Sequence, residues 1–295
     1  MTAIINIPPS LDDEKFELVL DQVARVPADE KLLLDARHAK WSSPYGLTAL
    51  LTLAQTRADK PSFTGPEDEN TASYWSRAAF YRHAEEVFEL HGYVPRPKPA
   101  GDSDVLLEIT PVTRSDDVHA VVERIQDKAK QILTNSLHLD PKATMGFAMT
   151  LSESCQNIVE HAGQGGWVAV QKYSWKKRLG RNVVVIAVCD AGQGFRRSLE
   201  SSQGRRLAER WDDATALEEA VLKGTSRFRE AGRGQGLKGV RRYVSRWGGR
   251  LSIRSGTARI TMGEGDLIAD VPLEEDLAPF AGAQVQIVIP ELVEK

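Results

Sequence analysis

The stretch ESCQNIVEH, residues 153–161, places three polar side chains at four-residue intervals, and this spacing predicts one face of a helix. Glu153, Asn157 and His161 therefore share a line that is turned away from the apolar stripe of Phe147 and Leu151. An asparagine oxygen is a neutral ligand for Mg²⁺, and a glutamate one turn away can deprotonate a water or hydroxyl aimed at a phosphorus atom. A solvated helix face has the same composition, so this pattern alone leaves both interpretations open.

A second pattern, VCDAGQGF at 188–195, follows the most apolar segment of the chain, NVVVIAVC. It places Asp190 at a predicted strand end, where ligand crevices open in α/β proteins. The carboxylate can accept a hydrogen bond from an exocyclic amine such as that of adenine. Gly192 and Gly194 would let the backbone approach a flat base without an intervening side chain. A plain strand-ending turn is the alternative.

The third pattern is GRGQGLKG, residues 232–239, in which glycine occupies four of eight positions. From its third residue it spells G-x-G-x-x-G, but the preceding KGTSRFREA is polar and does not read as a strand, which argues against a dinucleotide site. Three of the glycines stand directly before a predicted helix, so their amides can point at anionic oxygens; a flexible surface loop is the alternative. The residues expected to hold an anion here are Gly232, Arg233, Gly234, Gly236, Leu237 and Lys238.

Composition and charge indicate an ordinary globular protein. The chain has 295 residues, 41% of them hydrophobic and 27% charged, with a net charge of −3. Its longest apolar run, VVVIAVC, is far shorter than the roughly 18 residues that span a bilayer, and its first residues do not form a secretory signal. Cys155 and Cys189 are too few for a disulfide framework. These features predict a cytoplasmic protein with two buried, reduced thiols and no membrane partner.

The order of the predicted elements indicates two α/β domains. In the first third, apolar strand segments alternate with amphipathic helices, the last of them expected over residues 73–90. The proline-rich stretch VPRPKPAGDSD, residues 94–104, is the best linker candidate, so we place the domains at 1–95 and 105–295. In the second domain we expect helices on a mixed sheet, with one helix begun by Asp140 and Pro141 and carrying the three polar side chains.

The three patterns occur in one order: a helix with E-x-x-x-N-x-x-x-H, a strand ending in D-x-G-x-G, and G-x-G-x-G before a helix, followed by a final strand. Together they resemble the GHKL ATPase family of gyrase, the Hsp90 chaperones, histidine kinases and MutL. The resemblance covers residues 105–295 and implies a Bergerat-type α/β sandwich. It also implies that the domain binds ATP with Mg²⁺.

The resemblance further implies roles for single residues of this chain. Glu153 would be the general base, Asn157 would hold Mg²⁺ and Asp190 would read adenine N6. Gly192 and Gly194 would lie beside the base, and the glycines of GRGQG would wrap the phosphates as part of a mobile lid that runs from about residue 194 to 237. The last strand departs from the family's usual glycine–threonine pair, because it carries Gly282-Ala283 and lacks the threonine's contact near the adenine.

A separate resemblance concerns the N-terminal region. KLLLDARHAKWSSPYGLTALLTLAQ, residues 31–55, is similar to a STAS domain, the fold of anti-sigma-factor antagonists, and the likeness spans about residues 1–92. Tyr45 stands where that family has its phosphoacceptor serine. Ser42 and Ser43 lie close by and fit ordinary turn positions. The region is therefore either a degenerate regulatory module or a platform for a protein partner or a second subunit.

These resemblances imply three possible functions. The favoured one is a slow ATP-hydrolysing switch in which ATP closes the lid and the STAS-like domain responds; the second is a serine/threonine kinase of the anti-sigma type that acts on a STAS partner. The third is a MutL-like ATPase that acts on nucleic acid, because the stretch from Lys223 to Arg254 contains ten Lys and Arg residues and a single acid, Glu230. For that basic stretch we favour a plainer interpretation, in which part serves ATP and the rest is a solvated helix face.

Overall fold

The computed structural model describes residues 2–95, 106–112, 115–162, 165–175, 179–200, 211–223, 236–263, 267 and 272–292. These residues form a sheet of four strands, a sheet of seven strands and one pair of two-residue strands. Most of the predicted linker at 94–104 lies outside the described residues. No helix among the described residues combines the length and the apolar composition needed to cross a lipid bilayer.

The N-terminal segment is built around a parallel sheet with the strand order β1-β3-β5-β6. Parallel neighbours need crossover connections, and the helices predicted between the apolar strands supply them. The α/β character expected for this segment is confirmed. Its elements are β1 (Thr2–Asn6), β2 (Ser10–Leu11), α1 (Glu17–Val23), β3 (Lys31–Asp35), β4 (Trp41–Ser42), α2 (Pro44–Gln55), β5 (Ser62–Thr64), α3 (Glu69–Arg77), α4 (Phe80–Val87) and β6 (Glu89–His91).

The single helix expected over residues 73–90 is wrong. Two helices, α3 and α4, meet at Ala79, whose φ of 63° is left-handed, and the last residues form β6. The break lets Trp75 and Phe80 point into the same core, with ring centroids 5.0 Å apart. Neither glycine nor proline occurs between residues 73 and 90 to mark the break, so tertiary packing decides it.

The C-terminal segment forms the larger sheet, in the order β12-β11-β10-β13-β9-β8-β7. All its neighbouring strands are antiparallel, so the expected mixed sheet is wrong; β8 and β9, like β10 and β11, are neighbours both in sequence and in space. The elements are β7 (Leu106–Val112), α5 (Ser115–Leu137), α6 (Pro141–Ala162), β8 (Gly166–Trp175), β9 (Arg181–Asp190), α7 (Gly194–Leu199), α8 (Asp213–Val221), α9 (Gly236–Arg246), β10 (Arg250–Gly256), β11 (Ala258–Gly263), β12 (Leu273–Glu274) and β13 (Phe280–Pro290).

Helices cover one face of the larger sheet. The predicted start of α6 is confirmed, because Asp140 Oδ2 accepts a hydrogen bond from the backbone N–H of Ala143 at 2.9 Å. The helical layer and the sheet share one apolar core, to which α6 contributes the predicted stripe of Phe147 and Leu151 together with Ala143 and Cys155. Val240 and Val244 of α9, with Trp247 directly after it, are buried in the same core.

The N-terminal segment covers the opposite face of the larger sheet. A second core joins apolar residues of the parallel sheet and α2 to Trp167, Ala187 and Cys189 of the larger sheet. Helix α2 packs against β8, β9 and β13, and every residue from Pro44 to Ala54 is buried. Gly46 is required where α2 crosses β2, because a Cβ there would lie 2.6 Å from the carbonyl oxygen of Leu11. The two segments therefore share a continuous apolar interior.

Candidate functional site

Asp190 is a buried carboxyl at the end of β9. Its side chain is only 7% exposed, and its Oδ1 accepts a hydrogen bond from the backbone N–H of Gly192 at 2.8 Å. Burial raises its pKa to about 7, and the hydrogen bonds from the backbone N–H groups of Gly192 and Ala283 offset this only in part. A carboxyl held in a dry turn and near its titration point at neutral pH can act as a directional hydrogen-bond acceptor.

Two glycines with left-handed backbones close the corner around Asp190. Gly282 has a φ of 82°, and a Cβ there would lie 2.0 Å from the carbonyl oxygen of Asp190. Gly194 has a φ of 69°, and its Cβ would lie 2.6 Å from Ser255 Oγ. The ends of β9 and β10 and the start of β13 thus meet without room for side chains at these positions.

Ser255 ties this corner together. Its Oγ donates to the carbonyl oxygen of Gly282 at 2.8 Å and accepts from the backbone N–H of Phe195 at 3.1 Å. On the other face of β13, Gln284 donates to the carbonyl oxygen of Asp190 at 3.1 Å. Sequence reasoning missed both residues. No sequence motif marks Ser255, because its role arises from the pairing of β10 with β13.

The polar line predicted at Glu153, Asn157 and His161 lies on α6, in the half of the helix nearer its C-terminal end. The side chains of these three residues are outside the described part of the structure. Among the described residues, no group of three or more His, Cys, Asp and Glu side chains is arranged to hold a metal ion. The expected Mg²⁺ ligand Asn157 and general base Glu153 therefore stay predictions.

The predicted phosphate loop is only partly within the described residues. Gly232, Arg233 and Gly234 lie outside them. Gly236, expected in the loop directly before the helix, is the first residue of α9; Leu237 packs half-buried against the apolar core and Lys238 is exposed. A loop that runs directly into this helix would present backbone N–H groups at the positive end of its dipole.

The mobile lid expected from about residue 194 to 237 is not one free segment. Within its described part, α8 is anchored in the apolar core through Leu217. Asp213 at the start of α8 accepts hydrogen bonds at 3.0 Å from both the backbone N–H and the hydroxyl of Thr257. Any lid motion must therefore leave α8 in place.

The basic stretch between Lys223 and Arg254 is used differently from the expectation. Arg250 lies 2.9 Å from a carboxylate oxygen of Asp13, and Arg254 Nε lies 2.8 Å from Glu17 Oε1. These two arginines therefore bind acids of the N-terminal segment, and the interpretation as ATP contacts plus a solvated helix face is wrong for them. Lys238, Arg242 and Arg246 do lie exposed on α9.

The two serines that precede α2 are structural. Ser43 caps α2, its Oγ accepting from the backbone N–H of Gly46 at 3.2 Å, and Ser42 is likewise fully buried. Tyr45 is also buried, against the ring of Phe16. All three hydroxyls are covered in this arrangement, so phosphate transfer to them within the same chain would require the segments to separate.

Asp190 should make the unliganded protein less stable as the pH rises. Its pKa is raised from 3.8 to about 7, so over that interval the folded state binds more protons than the unfolded state. Stability then falls with rising pH, because the carboxyl must ionise while buried. Urea midpoints at about pH 5 and about pH 8 should fall more for the wild type than for Asp190→Asn, which cannot titrate. Parallel pH profiles for the two proteins would contradict this assignment.

One comparison with known proteins identifies the C-terminal segment. Residues 143–290, half of the chain, match the family model described as histidine kinase-, DNA gyrase B-, and HSP90-like ATPase. The match begins in α6, includes Asp190 and the glycine corner, and ends at the last residue of β13. No curated protein matches the chain.

Proposed function

The chain belongs to the histidine kinase-, DNA gyrase B-, and HSP90-like ATPase family, and on this premise we propose that it is a slow ATP-hydrolysing switch whose nucleotide site lies at Asp190. Domains of this family bind ATP, typically with Mg²⁺. The observation that supports this site most directly is the buried carboxyl of Asp190 in a corner closed by Gly194 and Gly282. That carboxyl can accept a hydrogen bond from the exocyclic amine of adenine.

The proposed site assigns distinct tasks to its parts. Asp190 and the glycines at 192 and 194 receive the base, and Gly232, Gly234 and Gly236 surround the phosphates together with Arg233 and Lys238. Asn157 holds Mg²⁺ through its carboxamide oxygen, and the metal neutralises charge on the phosphates. Glu153, one turn earlier on α6, orients and deprotonates the attacking water.

The finer architecture belongs to the same proposal. We take residues 105–295 as a Bergerat-type sandwich and residues 1–95 as a STAS-like unit that docks a protein partner or a second copy of the chain. The parallel sheet of β1, β3, β5 and β6 supports an α/β unit there. A cytoplasmic setting fits Cys155 and Cys189, which are both unpaired and buried.

The geometry supports the kinase and the MutL-like ATPase less well. A kinase acting on its own Ser42 or Ser43 is disfavoured because both are buried, which leaves a STAS protein from elsewhere as substrate. A MutL-like function would need the basic stretch to contact nucleic-acid phosphates. Arg250 and Arg254 instead pair with acids of the N-terminal segment.

Calorimetry of the full chain with saturating Mg-ATP tests the proposal first. We expect heat of binding, followed by slow release of inorganic phosphate. Transfer of labelled γ-phosphate to a supplied STAS protein, without free phosphate, would instead favour the kinase. Salt-sensitive DNA binding lost on reversing the charge of Arg241 and Arg242 would favour the third function. No heat at all would overturn the ATP site.

Ala283→Thr should tighten ATP binding about fivefold, because one added hydrogen bond contributes about 1 kcal/mol. Ala283 is half-buried on β13 next to Asp190, so a hydroxyl placed there faces the proposed base site. Ala283→Val, with the same shape and no hydroxyl, is the matched control and should bind ATP no more tightly than the wild type. Equal gains for both variants would attribute the effect to packing.

A further inference from the structure

The N-terminal segment touches the strand of Asp190 from behind. Thr48 Oγ1 in α2 lies 3.2 Å from Sγ of Cys189, the residue before Asp190, and both side chains are fully buried. The threonine hydroxyl has one proton, which it shares with the carbonyl oxygens of Pro44 and Tyr45 at 2.9 and 3.1 Å. Its remaining capacity is as an acceptor, so Cys189 is the donor.

The thiol keeps the proton that this contact needs. Burial raises the pKa of Cys189 to about 12, so the group stays a neutral S–H at physiological pH. Cys189 and Asp190 are successive residues of β9, and successive side chains of a strand point to opposite faces. A contact that holds Cys189 on the N-terminal face therefore also sets the direction of Asp190 on the helical face.

A second contact from the same segment supports the other side of the corner. The ring of Phe16 stacks on Phe280 with centroids 5.7 Å apart, two residues before Gly282. Arg254 binds the carbonyl oxygen of Ala278 while it pairs with Glu17. The start of β13 is thus held by the N-terminal segment, as the end of β9 is.

We propose that Thr48 is a positioning residue for base recognition. It touches no part of the nucleotide; it fixes Cys189, and through the strand it fixes the carboxyl that reads the base. The N-terminal segment then supports the nucleotide site from the opposite face of the sheet, and the inference rests on the function proposed above.

Thr48→Val tests this by removing the acceptor oxygen at nearly constant volume. We expect ATP to bind about fivefold more weakly in calorimetry, because the Asp190 carboxyl is no longer held in the direction that receives the base, and reorienting it costs up to about one hydrogen bond. Thr52→Val is the matched control: Thr52 is a buried threonine one turn further along α2, and its hydroxyl donates to the carbonyl oxygen of Thr48 at 2.9 Å. It should bind ATP like the wild type.

Two further variants separate positioning from general loss of structure. Thr48→Ser restores the oxygen and should restore affinity. Cys189→Ala should weaken binding as Thr48→Val does, and the double variant should be no weaker than either single one. Equal affinity for Thr48→Val and Thr52→Val, or additive losses in the double variant, would overturn the inference alone. A wild type that binds no ATP would overturn the proposed function and this inference with it.

Discussion

Asp190→Asn is expected to weaken ATP binding about 100-fold, because a charge-assisted hydrogen bond contributes about 1.5–3 kcal/mol and its replacement leaves two donors facing each other. The asparagine oxygen can still accept from the backbone N–H of Gly192, which now bonds to Asp190 Oδ1 at 2.8 Å. Its NH₂ group then meets the exocyclic amine of adenine. Calorimetry with Mg-ATP measures the loss directly.

The same change should shift base preference toward guanine. Guanine carries a carbonyl oxygen where adenine carries the amine, and an asparagine NH₂ can donate to that oxygen. The ratio of GTP to ATP affinity should therefore rise in Asp190→Asn. Asp21→Asn, at an exposed position of α1, is the control for the loss of one negative charge. Unchanged ATP affinity in Asp190→Asn would falsify the assignment of Asp190 as the base-reading group.

The position of Asp190 could be read from the sequence because local signals agree there. An apolar segment of strand length ends in Asp-Ala-Gly-Gln-Gly, and such a strand is buried whatever its neighbours are. The same holds for Asp140, whose side chain caps the start of α6. At these positions the pattern within a single element determines the local structure, and the prediction agrees with it.

Ser255 and Thr48 could not be read in this way. Ser255 matters because β10 pairs with β13 and brings its hydroxyl to Gly282, and Thr48 matters because α2 packs on β9. Each has an ordinary neighbourhood in sequence and acquires its role from a partner that is distant along the chain. The break at Ala79 is similar, since packing of Trp75 and Phe80 decides it.

The charged contacts between the N-terminal and C-terminal segments could not be predicted from the sequence either. Arg254 and Glu17 lie 237 positions apart, and a run of basic residues read alone favours nucleotide or solvent as its partner. In the structure Arg254 is 1% exposed and the Glu17 side chain 13% exposed. A buried ion pair of this kind is an element of the interface, which the composition of either segment alone does not predict.

Arg254→Met should destabilise the protein by about 3 kcal/mol, because removing the main partner of a buried ion pair leaves Glu17, among the described residues, with only Arg259 Nη1, at 3.5 Å, beside its carboxylate. Two guanidinium nitrogens of Arg254 contact the Glu17 carboxylate, at 2.8 and 3.1 Å, and a third donates to the carbonyl oxygen of Gly256 at 2.9 Å. Methionine keeps the apolar stem and removes all of these hydrogen bonds. Urea unfolding of the full chain gives the free energy.

A second substitution separates the effect of the Glu17 charge from the effect of shortening the Arg254 side chain. Adding Glu17→Gln to Arg254→Met removes a charge that has lost its main partner and should recover part of the stability, since a neutral amide costs less to bury than a carboxylate held by Arg259 alone. Lys31→Ala breaks an ion pair with Glu89 whose side chains are 44% and 48% exposed, and should leave the urea midpoint nearly unchanged because water screens a surface pair. If Arg254→Met cost no more than Lys31→Ala, the buried pair would contribute nothing to holding the N-terminal segment on the sheet. The segments would then be joined by their apolar core alone, and Phe16 and the leucines of α2 would become the residues whose truncation separates them.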